Sequence, residues 1–515
     1  MKRVLYIVGF VCPALLAHAQ EPADALRFSW TVPSGTARHQ AIGGAMGSLG
    51  GDPTALYVNP AGLAFYKTGD FVLSPSYRFG KNKASFLDRK SQDSDEKFTL
   101  GTTAFVAGSG GQGRKVRNVA FSMGFNTTAD FKSEVMYRGL NTQSSYSQKY
   151  LDEIRNADIR DDRVASDFPF GTSLAVNTLW IDTVGGGSPG NYDFQSRSAN
   201  LLSSGGLLQE QTLKNKGGIY EFAIGGAANF NDKIMVGGTF GIPILNYERT
   251  ASFTEADATD NPGNQFDFAT VEETLRTTGA GINLKAGVIV KPSESWRIGL
   301  AAHSPTYYTL TDNFNATVTA AVEDGASEPW YQSLSDITGA EHEFKYSLIT
   351  PYRLIGSLSY VLHEIEDITR QKGFITADVE YVNYKASSFQ QNEEEGFDTD
   401  TEAYLDDLND AIDKAYKPAF NFRVGGELKF TTVMVRAGAA YYGNPYKDIN
   451  GGKGRKVNLS GGLGYRNKGM FIDLTYVHSL NRDIHAPYRL QDISYPVAKV
   501  NTSAGNVLMT LGFKF

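Results

Sequence analysis

Apolar and polar residues alternate with a period of two along most of the chain, as they do in β-strands whose two faces meet different surroundings. Most of the alternating segments contain about 9–14 residues, the length with which a strand tilted by roughly 45° crosses a bilayer. The pattern therefore predicts an all-β protein, a transmembrane antiparallel barrel of about fourteen strands. The predicted strands are Phe71–Phe79, Phe98–Ala107, Val116–Asn126, Ile219–Phe230, Ile234–Tyr247, Thr278–Val290, Trp296–Ser304, Phe344–Leu362, Gly373–Tyr384, Ala419–Phe430, Val433–Tyr442, Val457–Tyr465, Met470–Leu480 and Gly505–Phe515.

The connections between these segments are alternately long and short for the whole length of the chain. The connection at 127–218 is the longest, whereas those at 231–233 and 431–432 are among the shortest. Every short connection then falls on the same side of a barrel, as expected when tight turns face the periplasm and long loops face the outside. Two of the long connections have apolar residues at helical spacing, and we expect short helices at Tyr146–Ala157 and Glu402–Tyr416 to cap the barrel mouth.

Charged residues within the predicted strands are expected to face the lumen. A charge on the lipid face costs about 2–4 kcal/mol for Arg or Lys near the bilayer midplane, and less for Asp or Glu. Acidic residues at alternate strand positions are therefore placed inside, where arginines of other strands could lie opposite them. The candidate lumenal charges are Asp378, Glu380, Asp473, Arg297, Arg353 and Arg436.

The composition agrees with a membrane barrel and reduces the number of functions that the chain could have. The sequence has 515 residues, 54 glycines, 41% hydrophobic residues and a mean hydropathy of −0.29, a balance that a large soluble all-β protein could also show. The net charge of −7 argues against nucleic acid as a partner. The histidines have no metal-ligand spacing, and no P-loop is found, so we predict no catalytic residue, metal or cofactor.

The first nineteen residues have the pattern of an export signal. Lys2 and Arg3 precede an apolar run from Val4 to Leu16, and Ala17-His18-Ala19 is a small-x-small cleavage site. The only cysteine, Cys12, would be removed with this segment, so the mature protein would have no disulfide. We expect export to the outer membrane of a Gram-negative bacterium.

A glycine-rich stretch from Gly43 to Leu63 differs from the rest of the chain. It has too few large side chains to form a core of its own, yet it is too apolar for a solvated linker. We therefore expect the barrel to enclose it. The predicted division is an export signal at 1–19, an N-terminal hatch at 20–67 and a barrel at 68–515.

The stretch GGAMGSLGGDPTALYVNPAGLAF at Gly43–Phe65 resembles the hatch of the FadL/TodX outer-membrane transport proteins. Supporting similarity lies at Gly279–Pro305, Thr350–Leu354 and Gly373–Tyr384. The resemblance implies a monomeric barrel of fourteen strands that carries long-chain fatty acids or other hydrophobic compounds. It further implies a plug formed by Asn59, Pro60, Ala61 and Gly62, and a kinked third strand with a lateral opening, for which Gly124 and Asn126 are the candidates.

On the residues alone, an ordinary turn is the simpler interpretation of Asn59-Pro60, and the family resemblance is what favours a plug. The predicted function is passive transport of a hydrophobic small molecule, with release into outer-membrane lipid. The alternative is a non-transporting barrel that serves a protein secretion or surface-attachment machine, and a non-specific porin is a third possibility. In each case the barrel-assembly machinery would engage the C-terminal strand that ends at Phe515.

Overall fold

Fourteen antiparallel strands form a closed barrel, as the alternation predicted. The computed structural model describes residues 21–30, 32, 34–110, 115–184, 191–259, 261, 263–323, 328–363, 371–392, 396–447, 454–490 and 493–515. The expected export signal at 1–19, with Cys12, lies outside these residues. The first barrel strand closes on the last, from Asp70↔Lys514 to Ser85↔Lys499, so the sheet has no free edge at the membrane level.

Several barrel strands are interrupted, so the fourteen crossings comprise more than fourteen strand segments. β1 with β2, β3 with β4, β5 with β6, β12 with β13, and β15 with β16 each form one crossing. The strand bounds are β1 Asp70–Leu73, β2 Pro75–Phe86, β3 Arg89–Leu100, β4 Thr103–Gly110, β5 Val116–Asp130, β6 Ser133–Asn141, β7 Ile181–Thr183, β8 Phe194–Ser196, β9 Leu207–Phe230, β10 Ile234–Asp257, β11 Phe268–Val290, β12 Trp296–His303, β13 Tyr307–Ala321, β14 Trp330–Ser333, β15 His342–Ile349, β16 Arg353–His363, β17 Gln371–Asn383, β18 Ser388–Gln391, β19 Pro418–Phe430, β20 Val433–Tyr442, β21 Arg455–Asn467, β22 Met470–His485 and β23 Ala498–Lys514.

The outer wall carries an apolar band with aromatic residues at both edges. On β22, Met470, Ile472, Leu474 and Tyr476 are exposed on the outside, while the residues between them face inward. Trp296 and its neighbours mark the edge on the side of the short turns, where its ring lies 4.9 Å from that of Tyr360. This arrangement is typical of a barrel whose outer face meets lipid.

The central strands are much longer than a bilayer requires. β10 has 24 residues, and its outward positions are apolar only as far as Ile244, after which Asn246 and Glu248 follow. The second half of such a strand therefore projects beyond the membrane. The segments at Gly80–Lys97 and Glu248–Thr277, predicted as loops, are largely strand for this reason, and the turn at Leu87–Asp88 closes the first of them.

Tight turns whose two central residues have positive φ close several hairpins. Leu87 and Asp88 have φ of 45° and 63°, and Asn231 and Asp232 have φ of 54° and 57°. Two consecutive residues with positive φ give a turn whose twist matches that of the flanking strands. The short connections lie together at one end of the barrel with the C-terminus, where Gly69 and Phe515 exchange backbone hydrogen bonds.

Short helices and a large apolar cluster cover the other end of the barrel. The predicted helix at Tyr146–Ala157 is found at Ser147–Ala157, and that at Glu402–Tyr416 is found at Thr399–Ala415. Among the described residues, no helix has both the length and the apolar character to cross a bilayer. The helix bounds are α1 Pro22–Ser29, α2 Ala37–Ala41, α3 Ala55–Val58, α4 Ser147–Ala157, α5 Val164–Asp167, α6 Thr172–Asn177, α7 Leu334–Thr338 and α8 Thr399–Ala415, with 3₁₀ turns at Pro60–Phe65, Ser198–Ser203 and Tyr384–Ala386.

Candidate functional site

Residues 34–66, which are the central part of the predicted hatch at 20–67, lie inside the barrel and are bonded to its inner wall; from here on, the word hatch refers to residues 34–66. The backbone of Ala37 donates to Thr510 Oγ1 at 2.7 Å and accepts from Thr475 Oγ1 at 2.7 Å. On another side, the backbone N–H of Gly47 donates to Asp378 Oδ2 at 2.9 Å. Side chains of several strands therefore satisfy backbone groups of the hatch that would otherwise be buried without partners.

Asn59 joins the two halves of the hatch to each other. Its side-chain amide donates to the carbonyl oxygen of Gly47 at 2.6 Å, and its Oδ1 accepts from the backbone of Ala61 at 3.1 Å. Asn59 is fully buried and caps the 3₁₀ turn that begins at Pro60. Ala61 packs against the wall, whereas Gly62 packs against the preceding part of the hatch.

Glycines in the wall permit the hatch to approach it this closely. A Cβ atom on Gly287 would lie 1.9 Å from Asn59 Oδ1, and one on Gly438 would lie 2.2 Å from the backbone nitrogen of Gly43. Any side chain at these positions would collide with the hatch. The same holds for Gly237, Gly299 and Gly425.

The lower lumen contains a buried network of charges that includes a residue of the hatch. Arg38 of α2 lies 3.3 Å from the carboxylate of Glu427, which also accepts from Arg436 at 2.6 Å. Arg436 in turn donates to Asp473 at 2.5 Å. Because a buried charge without a partner is costly, this network favours the seated position of the hatch.

Two lumenal ion pairs reach across an intervening strand. Arg436 and Asp473 meet above Gly464, where a Cβ atom would lie 2.3 Å from Asp473 Oδ1. Glu221 and Lys285 pair in the same way across the strand that separates them. Glycine on the middle strand leaves the space through which the two side chains reach each other.

The side chains of all six predicted lumenal charges face inward. Four of them form ion pairs with one another, whereas Asp378 and Arg297 contact the hatch. Glu380 pairs with Arg353 at 3.3 Å and also with Arg423. Asp378 accepts from the hatch, and Arg297 lies over the ring of Phe65, 4.7 Å from its centroid.

A lower cavity of about 120 Å³ lies directly above the hatch. His39, Gly44, Tyr57 and Val58 of the hatch line one side. Three basic and two acidic side chains line the walls, together with a histidine: Lys285, Arg353, Arg423, Glu221, Glu380 and His303. The lower cavity therefore has a mixed polar and apolar lining, in which basic side chains outnumber acidic ones by one.

An upper cavity of about 470 Å³ lies between the hatch and the helices that cover the end of the barrel opposite the short turns. Aromatic rings provide much of its apolar lining, namely Trp30, Phe131, Tyr416, Tyr446 and Tyr495. Four basic side chains and two carboxylates line this cavity: Arg27, Arg78, Lys456 and Arg489, with Asp130 and Asp483. The upper cavity combines an apolar surface with positive charge.

The barrel wall lacks a backbone ladder at the outer half of the boundary between the second and third strands. Within the described residues 89–110 and 115–141, β4 pairs with β5, but β3 pairs only with β2 and β6 only with β9. The register of β5 against β9 shifts between Thr127 and Ala129, where the strand forms a bulge. We call this region the 2/3 boundary.

Side chains close the 2/3 boundary in place of the ladder. Lys97 of β3 forms an ion pair with Asp130, and Lys132 Nζ donates to the carbonyl oxygen of Glu96 at 2.7 Å. Asp93 accepts from the backbone of Met136 at 2.8 Å. Thr99, Thr127, Ala129, Asp130 and Phe131 also line the upper cavity, so this cavity extends to the boundary.

The two candidates for the strand kink lie before the bulge. Gly124 pairs with Ala104 in the regular ladder. Asn126 is fully buried and accepts from Ser34 Oγ at 3.1 Å and Thr102 Oγ1 at 3.0 Å. The irregularity itself begins at Thr127.

Several residues of this site were not identified from the sequence. Arg38 belongs to the hatch, where no strand parity assigns a direction to its side chain. Lys285 and Glu221 lie at alternate positions of predicted strands, so parity could have placed them in the lumen. Lys97 and Asp130 lie where the alternation fades. Within the described ranges, no group of three or more His, Cys, Asp or Glu residues could hold a metal ion.

Comparison with solved structures shows which known proteins share this fold. A FadL homologue of Pseudomonas aeruginosa aligns with 95% of this chain and 100% of its own, at 13% identity and a TM-score of 0.54. The toluene transporter TodX of Pseudomonas putida aligns with 94% of this chain and 99% of its own, at 13% identity and a TM-score of 0.50. No family model matches the sequence, and no significant match was found among curated proteins. The predicted resemblance is confirmed at the level of the fold.

Proposed function

We propose that this barrel, which shares the fold of the FadL homologue and TodX, transports amphipathic small molecules passively across a Gram-negative outer membrane. One arrangement carries the proposal. The hatch fills the lumen, and the upper cavity above it extends to the 2/3 boundary, where the two strands share no backbone ladder in their outer half. A molecule that enters from outside would then leave sideways into lipid. The name of TodX describes a toluene transporter, which supports a hydrophobic cargo.

The seated hatch argues against a non-specific porin. A porin needs a continuous aqueous channel, whereas here the hatch contacts the wall on several sides through Ala37, Gly47 and Asn59. Binding of the solute supplies the free energy in this scheme, so no nucleotide is needed. A monomeric state and insertion by the barrel-assembly machinery through the strand ending at Phe515 belong to the same proposal.

The charges of the cavities favour an anionic amphipathic molecule over a neutral hydrocarbon. Basic side chains outnumber acidic ones in both cavities, and aromatic rings line the upper one. A carboxylate or similar head group would gain charge-assisted hydrogen bonds, while an apolar tail would lie against the rings. A neutral hydrocarbon would displace water from charged groups without replacing its hydrogen bonds. A long-chain fatty acid fits this description.

Uptake of radiolabelled oleate tests the proposal. Cells that lack their own uptake barrel would express this chain, and the initial rate would be compared with that of cells expressing none. We expect a faster rate for oleate and a much smaller increase for toluene, with no increase for a hydrophilic sugar of similar mass. Equal uptake of all three would indicate a diffusion pore, and no uptake of any would reject transport.

A further inference from the structure

Six basic side chains lie together on the outside of the barrel wall, where the first strands of the chain meet its last. All six are exposed, and each has the same parity as the lipid-facing residues of its own strand, so it points away from the lumen. They lie beyond the apolar band, on the side away from the short turns. We call them the basic patch: Lys81 and Lys83 of β2, Lys90 of β3, Arg455 of β21, Arg482 of β22 and Lys499 of β23.

The register of the sheet brings these cations side by side. Arg455 lies directly opposite Arg482, and the same row continues through Asn501 to Lys83. Residues directly opposite each other on antiparallel strands have Cβ atoms about 4.5–5.5 Å apart. The row beyond it contains Lys499, Ser85 and Lys90, in that order. Two neighbouring rows across five strands therefore carry positive charge and neutral polar groups.

The chain itself supplies little negative charge to this patch. Within the described residues, none of the six cations forms an ion pair. The outward carboxylate of β3, Glu96, accepts from Tyr77 Oη at 2.6 Å. Asp88, in the turn between β2 and β3, is exposed and has positive φ. The two arginines in particular face each other without a carboxylate between them.

Outward charges on the far wall of the barrel are arranged differently. Glu248 of β10 lies directly opposite Lys216 of β9 on one side and Arg276 of β11 on the other. Its carboxylate lies 3.0 Å from Lys216 Nζ. Like charges directly opposite each other destabilise a sheet, whereas opposite charges stabilise it. The far wall therefore neutralises its own charges, and the basic patch needs an anion from outside the chain.

Aromatic rings place the patch at the level of lipid head groups. Phe79 and Tyr476 approach each other over Gly505, where a Cβ atom would lie 2.6 Å from the first ring and 3.0 Å from the second. Lys81 is the next outward residue of β2 after Phe79. Since aromatic side chains of membrane proteins are enriched at the boundary between lipid and water, the cations begin where the acyl chains end.

We propose that the basic patch binds the phosphate groups of a glycolipid in the outer leaflet, whose acyl chains lie against the apolar band of the same wall. Arginine recognises phosphate through paired hydrogen bonds, and the spacing of Arg455 and Arg482 allows one phosphate group to lie between them. The polar side chains of Asn501 and Ser85 offer hydrogen bonds to the sugar. A lipid is favoured over a soluble anion because the patch continues directly into the lipid-facing surface. The inference rests on the location in an outer membrane and does not require transport.

Binding of lipid A, a phosphorylated glycolipid of Gram-negative outer membranes, tests the patch. Lipid A and the same lipid without its phosphates would be added to the purified full-length barrel in a non-ionic detergent, with a chelator to remove divalent cations. Native mass spectrometry would measure the bound fraction. We expect the phosphorylated form to bind much more tightly than the dephosphorylated one. The double variant Arg455→Gln with Arg482→Gln should bind it about tenfold more weakly than native protein does.

A matched control is Lys216→Gln with Arg276→Gln, which removes two cations from the far wall. This variant should bind lipid A as native protein does, and heat-dependent gel mobility would verify that both variants are folded. Equal weakening in the two variants would indicate non-specific attraction and overturn the patch. Equal binding of both lipids, or of neither, would also overturn it, as would displacement of the lipid by inorganic phosphate alone. Because uptake is not measured, any of these results would leave the transport function standing.

Discussion

Lys97 and Asp130 form an ion pair across the 2/3 boundary, where β3 and β6 leave the apolar band of the wall and share no backbone ladder. The two side chains are 6% and 22% exposed, so water screens them only in part. Elsewhere among the described barrel strands, neighbours share backbone ladders with only short breaks, such as that between His303 and Tyr307. Closure of the wall at this place therefore depends on side chains, which can separate without disrupting a sheet.

Removal of this ion pair should loosen the 2/3 boundary. We expect Lys97→Gln and Asp130→Asn each to raise the rate of oleate uptake severalfold, because the closed state loses a partly buried attraction. A double-mutant cycle on unfolding in detergent should give a coupling of about 1–2 kcal/mol.

The exposed pair Lys214 and Glu134, 3.0 Å apart, is the matched control. Its coupling should stay below about 1 kcal/mol, as is usual for surface pairs, and its loss should not change uptake. If both pairs behave alike, the boundary has no special role.

Replacement of Gly287 by alanine should unseat the hatch. The added methyl group cannot fit beside Asn59, and overpacking of this kind costs about 1–3 kcal/mol. We expect steady ion conductance in planar bilayers where the native barrel is nearly silent. Gly356→Ala, which adds a methyl group to open space on a nearby strand, should remain silent.

Asn59→Ala should weaken the hatch from within. The carbonyl oxygen of Gly47 loses its donor, and an unsatisfied buried polar group costs about 1–3 kcal/mol. Leak conductance should rise, and oleate binding and uptake should change at equal surface expression. Asn467→Ala, at the exposed end of β21, is the control. If Asn59→Ala leaves binding and uptake unchanged, this residue has no part in the plug.

Gly464→Ala should break the ion pair between Arg436 and Asp473. The new Cβ atom would occupy the space through which the two side chains meet, so the buried Asp473 would lose its arginine at a cost of about 3–5 kcal/mol, while Arg436 would keep Glu427. We expect the barrel to unfold in detergent at a clearly lower temperature, measured by its heat-dependent mobility in gel electrophoresis. Gly461→Ala on the same strand, where the nearest atom lies 3.7 Å away, should cause little change.

The sequence predicted the parts of the strands that face lipid, because their outward residues must be apolar. It missed the parts of the strands that project beyond the bilayer. Up to Ile244, β10 alternates because its outer face is apolar; from Asn246 onward both faces tolerate polar residues, and the strand resembles a loop. Strand parity placed Asp378, Glu380 and Asp473 in the lumen. It could not pair Asp473 with Arg436, because that contact depends on a glycine in the strand between them.

Identification of the molecules that copurify with the barrel in mild detergent tests the central claim most directly. Mass spectrometry of the extracted ligand should find an anionic amphipathic molecule, present at close to one per barrel and depleted in the variant Arg423→Gln. A barrel with no bound apolar molecule and a stably associated protein partner would contradict the claim, and would instead favour a role in secretion or surface attachment.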